Sequence, residues 1–95
     1  MAISIISAME LIVGCRNQQE VLQAKSLIEG FLVLQLSPEI SNHSYDWLVR
    51  YAKSHGLLIP DALIGATAAV YGLELMTSNV KDFGFLPEIV ATRPY

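Results

Sequence analysis

Apolar and polar residues follow one another at helical spacing in four stretches of this chain, and short unbroken apolar runs lie between and after them. Ser7-Ala-Met-Glu10 has the S-x-x-E form of a capping box, and the apolar residues after it stop at Gly14, which predicts a short first helix. Asn17-Gln-Gln-Glu20 repeats the device with an asparagine. Val21, Ala24 and Ile28 then recur on one face until Gly30 closes a second helix. Phe31 to Leu36 is almost entirely apolar and too short for a helix, so it predicts a buried strand. Ser37-Pro38 sets a cap before an N1 proline, and Ile40, Trp47, Leu48 and Tyr51 line one side of a third helix ended by Gly56. From Pro60-Asp61 to Tyr71 the Ala, Leu and Ile residues predict a fourth helix, stopped by Gly72. Leu73 to Thr77 predicts a second strand. Thr77, Ser78 and Asn79 are turn and cap residues, Asp82-Phe83-Gly84 predicts a tight turn, and Ile89 to Ala91 a last short strand.

Helices alternating with short apolar strands imply an α/β fold with a parallel sheet, in which function gathers at the carboxyl ends of strands. The pattern opens directly on a helix with no strand before it, and a sheet of two or three strands has few ways to cover its edges. The expectation is one domain over residues 1–95, incomplete at its N-terminus, which dimerisation would help to stabilise.

Composition narrows the function classes. The 95 residues are 53% hydrophobic, enough for one core. A single cysteine, Cys15, makes no intrachain disulfide and is expected to be a small buried or half-buried apolar residue; this fits a reducing cytoplasm. The opening MAISIISAMELIVG has no basic leader and carries Glu10 within the apolar run, unlike a secretory signal. No stretch approaches the roughly 18 apolar residues of a membrane span. With a net charge of -3 there is no basic field to draw in nucleic acid, so local chemistry must carry any such function.

Three segments in order resemble the PIN-domain family, in particular the VapC-type toxins of bacterial toxin-antitoxin pairs. Ser4-Ile-Ile-Ser7-Ala-Met-Glu10-Leu11 is similar to the family's S-x-x-[ST]-x-x-E-L helix start. Ile59-Pro60-Asp61-Ala62-Leu63-Ile64, continued by Gly65 and Ala66-Thr67-Ala68, is similar to I-P-D-A-L-I-A-A-T-A. Leu75-Met76-Thr77-Ser78-Asn79-Val80-Lys81-Asp82-Phe83 is similar to L-x-T-x-N-x-x-D-F. The resemblance implies a three-layer α/β/α PIN-like domain with a short parallel sheet. It also implies a nuclease that hydrolyses RNA phosphodiesters, with Glu10, Asp61 and Asp82 holding Mg²⁺ or Mn²⁺ and with Thr77 or Asn79 positioning a carboxylate or a water. Its expected partners are an RNA substrate, a cognate antitoxin and a second copy of itself. The family begins with a strand ending in Asp, whereas only nine residues precede Glu10 here. The expectation is therefore that this first strand is absent and that the chain alone is a weak or inactive enzyme.

The chemistry suits that residue set, because hard cations take oxygen ligands and a bound cation activates water and offsets charge building on phosphate. Local readings of the same residues stand beside it. Glu10 fits the N3 position of a capping box, Asp61 a helix N-cap, Asp82 a cap at the Phe83 turn and Asn79 an ordinary turn residue. His43 and His55 lack the paired spacing of a zinc site, and His55 sits where it can meet a helix dipole. Trp47 and Tyr51 are assigned to packing or an interface rather than to base stacking, Arg50, Lys53 and Arg93 to solvent, and Lys81 to solvent or a phosphate contact. Ser7 has no neighbouring base to make it a nucleophile. Two rivals remain at this point: a non-catalytic remnant serving as a dimerisation or antitoxin-binding module, and an unrelated small α/β domain.

Overall fold

The computed structural model describes residues 2–73, 75–76 and 91–92. The chain divides into two compact units, Met1–Gln35 and Leu36–Tyr95.

The first unit contains β1 (Ala2–Ser4), α1 (Ile5–Val13), α2 (Gln18–Glu29) and β2 (Leu32–Leu34). The strands pair in parallel, Ala2 opposite Leu32 and Ser4 opposite Leu34, with Ser4 and Leu34 buried. The expectation that the chain opens on a helix is thus corrected: a strand precedes α1. Three residues are too few for a period-2 pattern to declare itself, and Ala2-Ile-Ser4 becomes a strand by borrowing the ladder of the apolar β2 segment. β2 is shorter than the Phe31–Leu36 run that predicted it.

The cap of α1 is also corrected. Ser4, not Ser7, is the N-cap, its Oγ accepting from the Ile6 N–H at 3.1 Å. Both serines offer a cap, and the earlier one takes the helix because Ser4 leaves β1 in an extended conformation while Ser7 is already helical. Glu10 is therefore not an N3 capping residue. The second helix begins as predicted, with Asn17 Oδ1 accepting from the Glu20 N–H at 2.9 Å and Gly30 as C-cap. Glu20 reaches back in turn to the Arg16 N–H at 2.9 Å and to the Arg16 guanidinium at 3.1 Å. These bonds, the backbone N–H first, hold the Glu20 carboxyl below its ordinary value of 4.5. A carboxyl with a lowered folded value adds stability that is full above 4.5 and is lost as pH falls through the folded value. Glu20→Gln should accordingly lower the thermal midpoint at pH 7, and its difference from the parent should disappear on acidification below pH 4.5.

In the second unit α3 (Pro38–His55) and α4 (Ile59–Tyr71) are followed by β3 (Leu75–Met76) and β4 (Ala91–Thr92), which pair in parallel with Leu75 opposite Ala91. β3 falls within the predicted Leu73–Thr77 strand, and β4 takes Ala91 of the predicted Ile89–Ala91 strand together with Thr92, while residues 74, 77, 89 and 90 lie outside the described residues. Ser37 Oγ caps α3 by accepting from the Ile40 N–H at 3.2 Å, with Pro38 in the first turn. Gly56 ends it at φ 68°, a left-handed conformation that side chains resist. The Leu57 N–H then closes on the Tyr51 carbonyl, and Leu57 turns into the core. That core consists of Ile40 and Trp47 from α3, Leu57, and Ala62 and Ala66 from α4, with Leu48, Tyr51, Ala69 and Val70 packed on it. Small residues on α4 let the two helices approach closely, and the large indole fills the space they leave.

The fold is the mixed α/β type expected, with helices alternating with short parallel strands. Among the described residues no helix is long and apolar enough to cross a membrane.

Candidate metal centre

Glu10 is the sixth residue of α1, past its first turn, with its side chain exposed. Its carboxylate is therefore not consumed by the helix end, as a capping role would have required. The flanking Met9 and Leu11 are exposed as well, at 54% and 42%, so this carboxylate stands on an apolar surface.

Asp61 is the third residue of α4 and half-buried. The N-cap is Leu58, which has no side-chain acceptor, so the reading of Asp61 as the N-cap is corrected. Pro60 fits at N2 because the N–H it lacks would have been an orphan of the first turn. Asp61 thus lies in the first turn, at the positive end of the helix dipole. Glu10 is the one charged residue of α1 and Asp61 the one charged residue of α4, and each carboxylate presents hard oxygen donors. That donor set suits Mg²⁺ or Mn²⁺ better than a soft-metal site.

Glu10 belongs to the first unit and Asp61 to the second. Asp82, Thr77 and Asn79 lie outside the described residues. Among the described residues no group of three His, Cys, Asp or Glu side chains could hold a metal ion.

The other sequence candidates take structural places. The His43 ring meets Trp47 edge-on at 4.6 Å, and the His55 ring meets Tyr51 at 5.6 Å while its Nδ1 lies 2.8 Å from Ser54 Oγ. Trp47 is 1% exposed, which makes it packing and not a stacking platform. Arg50 pairs with Asp46 at 3.3 Å on the exposed side of α3, a contact worth little. Cys15 is half-buried, its thiol directed at the Leu11 carbonyl at 3.3 Å.

Sequence reasoning passed over Ser44. It is buried on the apolar face of α3, with its Oγ 2.8 Å from the Ile40 carbonyl and 3.3 Å from the Ala62 carbonyl on α4. The available signal was a hydroxyl four residues after Ile40 and three before Trp47, inside an otherwise apolar stripe.

The family profile described as PIN domain matches residues 1–84. The chain belongs to the PIN-domain family. Its matched stretch contains Glu10, Asp61 and Asp82 together. The PIN domain is 34% identical over 90 residues to the protein named Ribonuclease VapC10 from Mycobacterium tuberculosis, covering 94% of this chain and 67% of that protein. In structure it is similar to a chain of a toxin-antitoxin complex from Klebsiella pneumoniae, with a TM-score of 0.78 and 33% identity over 99% of this chain and 73% of the other. It is likewise similar to a chain of VapBC-1 from nontypeable Haemophilus influenzae, with a TM-score of 0.82 and 26% identity over 98% and 73% of the two chains. The PIN-like fold and the VapC-type resemblance expected from the three segments are both upheld by these matches.

Proposed function

We propose that this PIN domain is a divalent-metal endoribonuclease of the toxin-antitoxin type, acting on RNA in the cytoplasm and restrained by a protein antitoxin. The observation that carries the reading is that Glu10, Asp61 and Asp82 all fall within the matched family stretch, with Glu10 exposed past the first turn of α1 and Asp61 in the first turn of α4. In this reading Glu10, Asp61 and Asp82 hold Mg²⁺ or Mn²⁺, and Thr77 or Asn79 orients a carboxylate or a water. The bound ion would lower the pKa of a water and offset negative charge on the phosphate under attack. Asp61 contributes a carboxylate in the first turn of α4, and Glu10 contributes one at a helical position open to solvent. The relative named as a ribonuclease and the toxin-antitoxin complexes among the structural neighbours support the substrate class and the antitoxin partner.

A second reading, a non-catalytic module that pairs with itself or grips an antitoxin, is favoured by the exposed apolar residues of the first unit. Val13 is 83%, Leu32 67% and both Leu22 and Leu27 58% exposed, apolar surface that a partner could cover. Calorimetric titration of Mn²⁺ into the full chain, followed by RNA cleavage with Mn²⁺ and its reversal by a chelator, decides between the two. The nuclease reading expects saturable binding and chelator-sensitive cleavage. Binding without cleavage, or neither, favours the interaction module.

A further inference from the structure

We infer that Ser44 is the positioning residue for Asp61, an inference that rests on the metal-site reading above. Ser44 is 3% exposed and shares the core face of α3 with Ile40 and Trp47. Alanine there would favour the helix and avoid desolvating a hydroxyl, so packing alone gives no reason for serine. What the hydroxyl gains is a link to a second helix. Its Oγ lies 2.8 Å from the Ile40 carbonyl and 3.3 Å from the carbonyl of Ala62, the residue immediately after Asp61.

The first turn of α4 needs such a link. Leu58 provides no side-chain cap and Pro60 provides no N–H, leaving the Ala62 N–H to Leu58 carbonyl bond of 2.9 Å to start the helix. Ala62 and Ala66 are fully buried but have only methyl groups with which to resist rotation about the helix axis. The single hydroxyl proton of Ser44, shared between the Ile40 carbonyl and, as the longer arm, the Ala62 carbonyl, adds a directional restraint between the two helices. Asp61 lies one residue, about 100°, around the axis from Ala62, so a rotation of α4 that Ser44 restrains would carry the anchor of the Asp61 side chain with it. Metal ligands tolerate displacements of only about 0.5 Å, and outer contacts that orient them are commonly worth about 10- to 100-fold in metal affinity.

The test compares Ser44→Ala with Val70→Ala, which trims the same core away from the start of α4, and with Asp61→Ala. Mn²⁺ affinity is read by calorimetry on the full chain, thermal midpoints by circular dichroism, and exchange of the Ala62 amide by nuclear magnetic resonance without metal. Ser44→Ala is expected to weaken Mn²⁺ binding about 10-fold and to speed exchange at Ala62. Val70→Ala is expected to lower the midpoint while changing neither. Equal loss of affinity in both core variants, or parental affinity and exchange in Ser44→Ala, overturns the inference alone if Asp61→Ala still abolishes binding. Parental Mn²⁺ binding in Asp61→Ala overturns the metal-site reading and this inference with it.

Discussion

Asp61→Asn is expected to lower Mn²⁺ affinity by about 100-fold or more and to reduce RNA cleavage in step, while the chain keeps its helical circular dichroism. The substitution conserves size but removes a charge and an oxygen ligand. Residues that merely orient a ligand are commonly worth about 10- to 100-fold in affinity, so the loss of a direct ligand should reach at least the upper end of that range. The effect on folding should be small by comparison. Asp61 sits in the first turn of α4, where an ionised carboxylate is worth about 0.3–1 kcal/mol against the helix dipole. For a domain of this size that corresponds to a fall of only a few degrees in the thermal midpoint. A large loss of metal binding with a small loss of stability separates a ligand from a structural acid. Undiminished binding would remove Asp61 from the site, and with it the main support for a nuclease.

Trp47→Ala is expected to cost about 3–5 kcal/mol, the largest stability loss from a single side chain among the described residues. The indole is 1% exposed and lies in the cluster formed by Ile40, Leu57, Ala62 and Ala66. Because α4 meets it with the alanines Ala62 and Ala66, that side of the vacated space has only methyl groups to fill it. The edge-on contact of His43 at 4.6 Å goes with it. A short domain is only marginally stable, so a loss of this size is a large part of the total. Urea unfolding followed by circular dichroism measures it, since the substitution removes the single tryptophan and with it the fluorescence signal. A shift of less than about 1 kcal/mol would mean that the core can collapse around the gap, contrary to the packing described.

The candidate site was legible to different depths in different residues. Asp61 stood out because Ile-Pro-Asp before an alanine-rich helix is a chemical pattern as well as a family one. The structure then changed its local role from cap to third helical residue. Glu10 was found by the same means, and its capping-box alternative fell because Ser4 begins α1 one turn sooner. Ser44 escaped notice because its local bond to the Ile40 carbonyl is open to any mid-helix serine and marks nothing. Its second acceptor is eighteen residues away on another helix.

By itself the sequence determined the features whose cause is local: the Asn17 and Ser37 caps, the left-handed glycine ends at Gly56 and Gly72, the apolar face of α3 and the family to which the chain belongs. Only the tertiary structure decided the rest. Ala2–Ser4 became a strand because β2 supplied a parallel ladder, and Ser44 became a bridge because α4 brought the Ala62 carbonyl within reach. The division follows from range, since a cap or a glycine turn is satisfied within a few residues. A ladder or a buried hydroxyl instead takes its partner from whichever distant segment the fold places beside it.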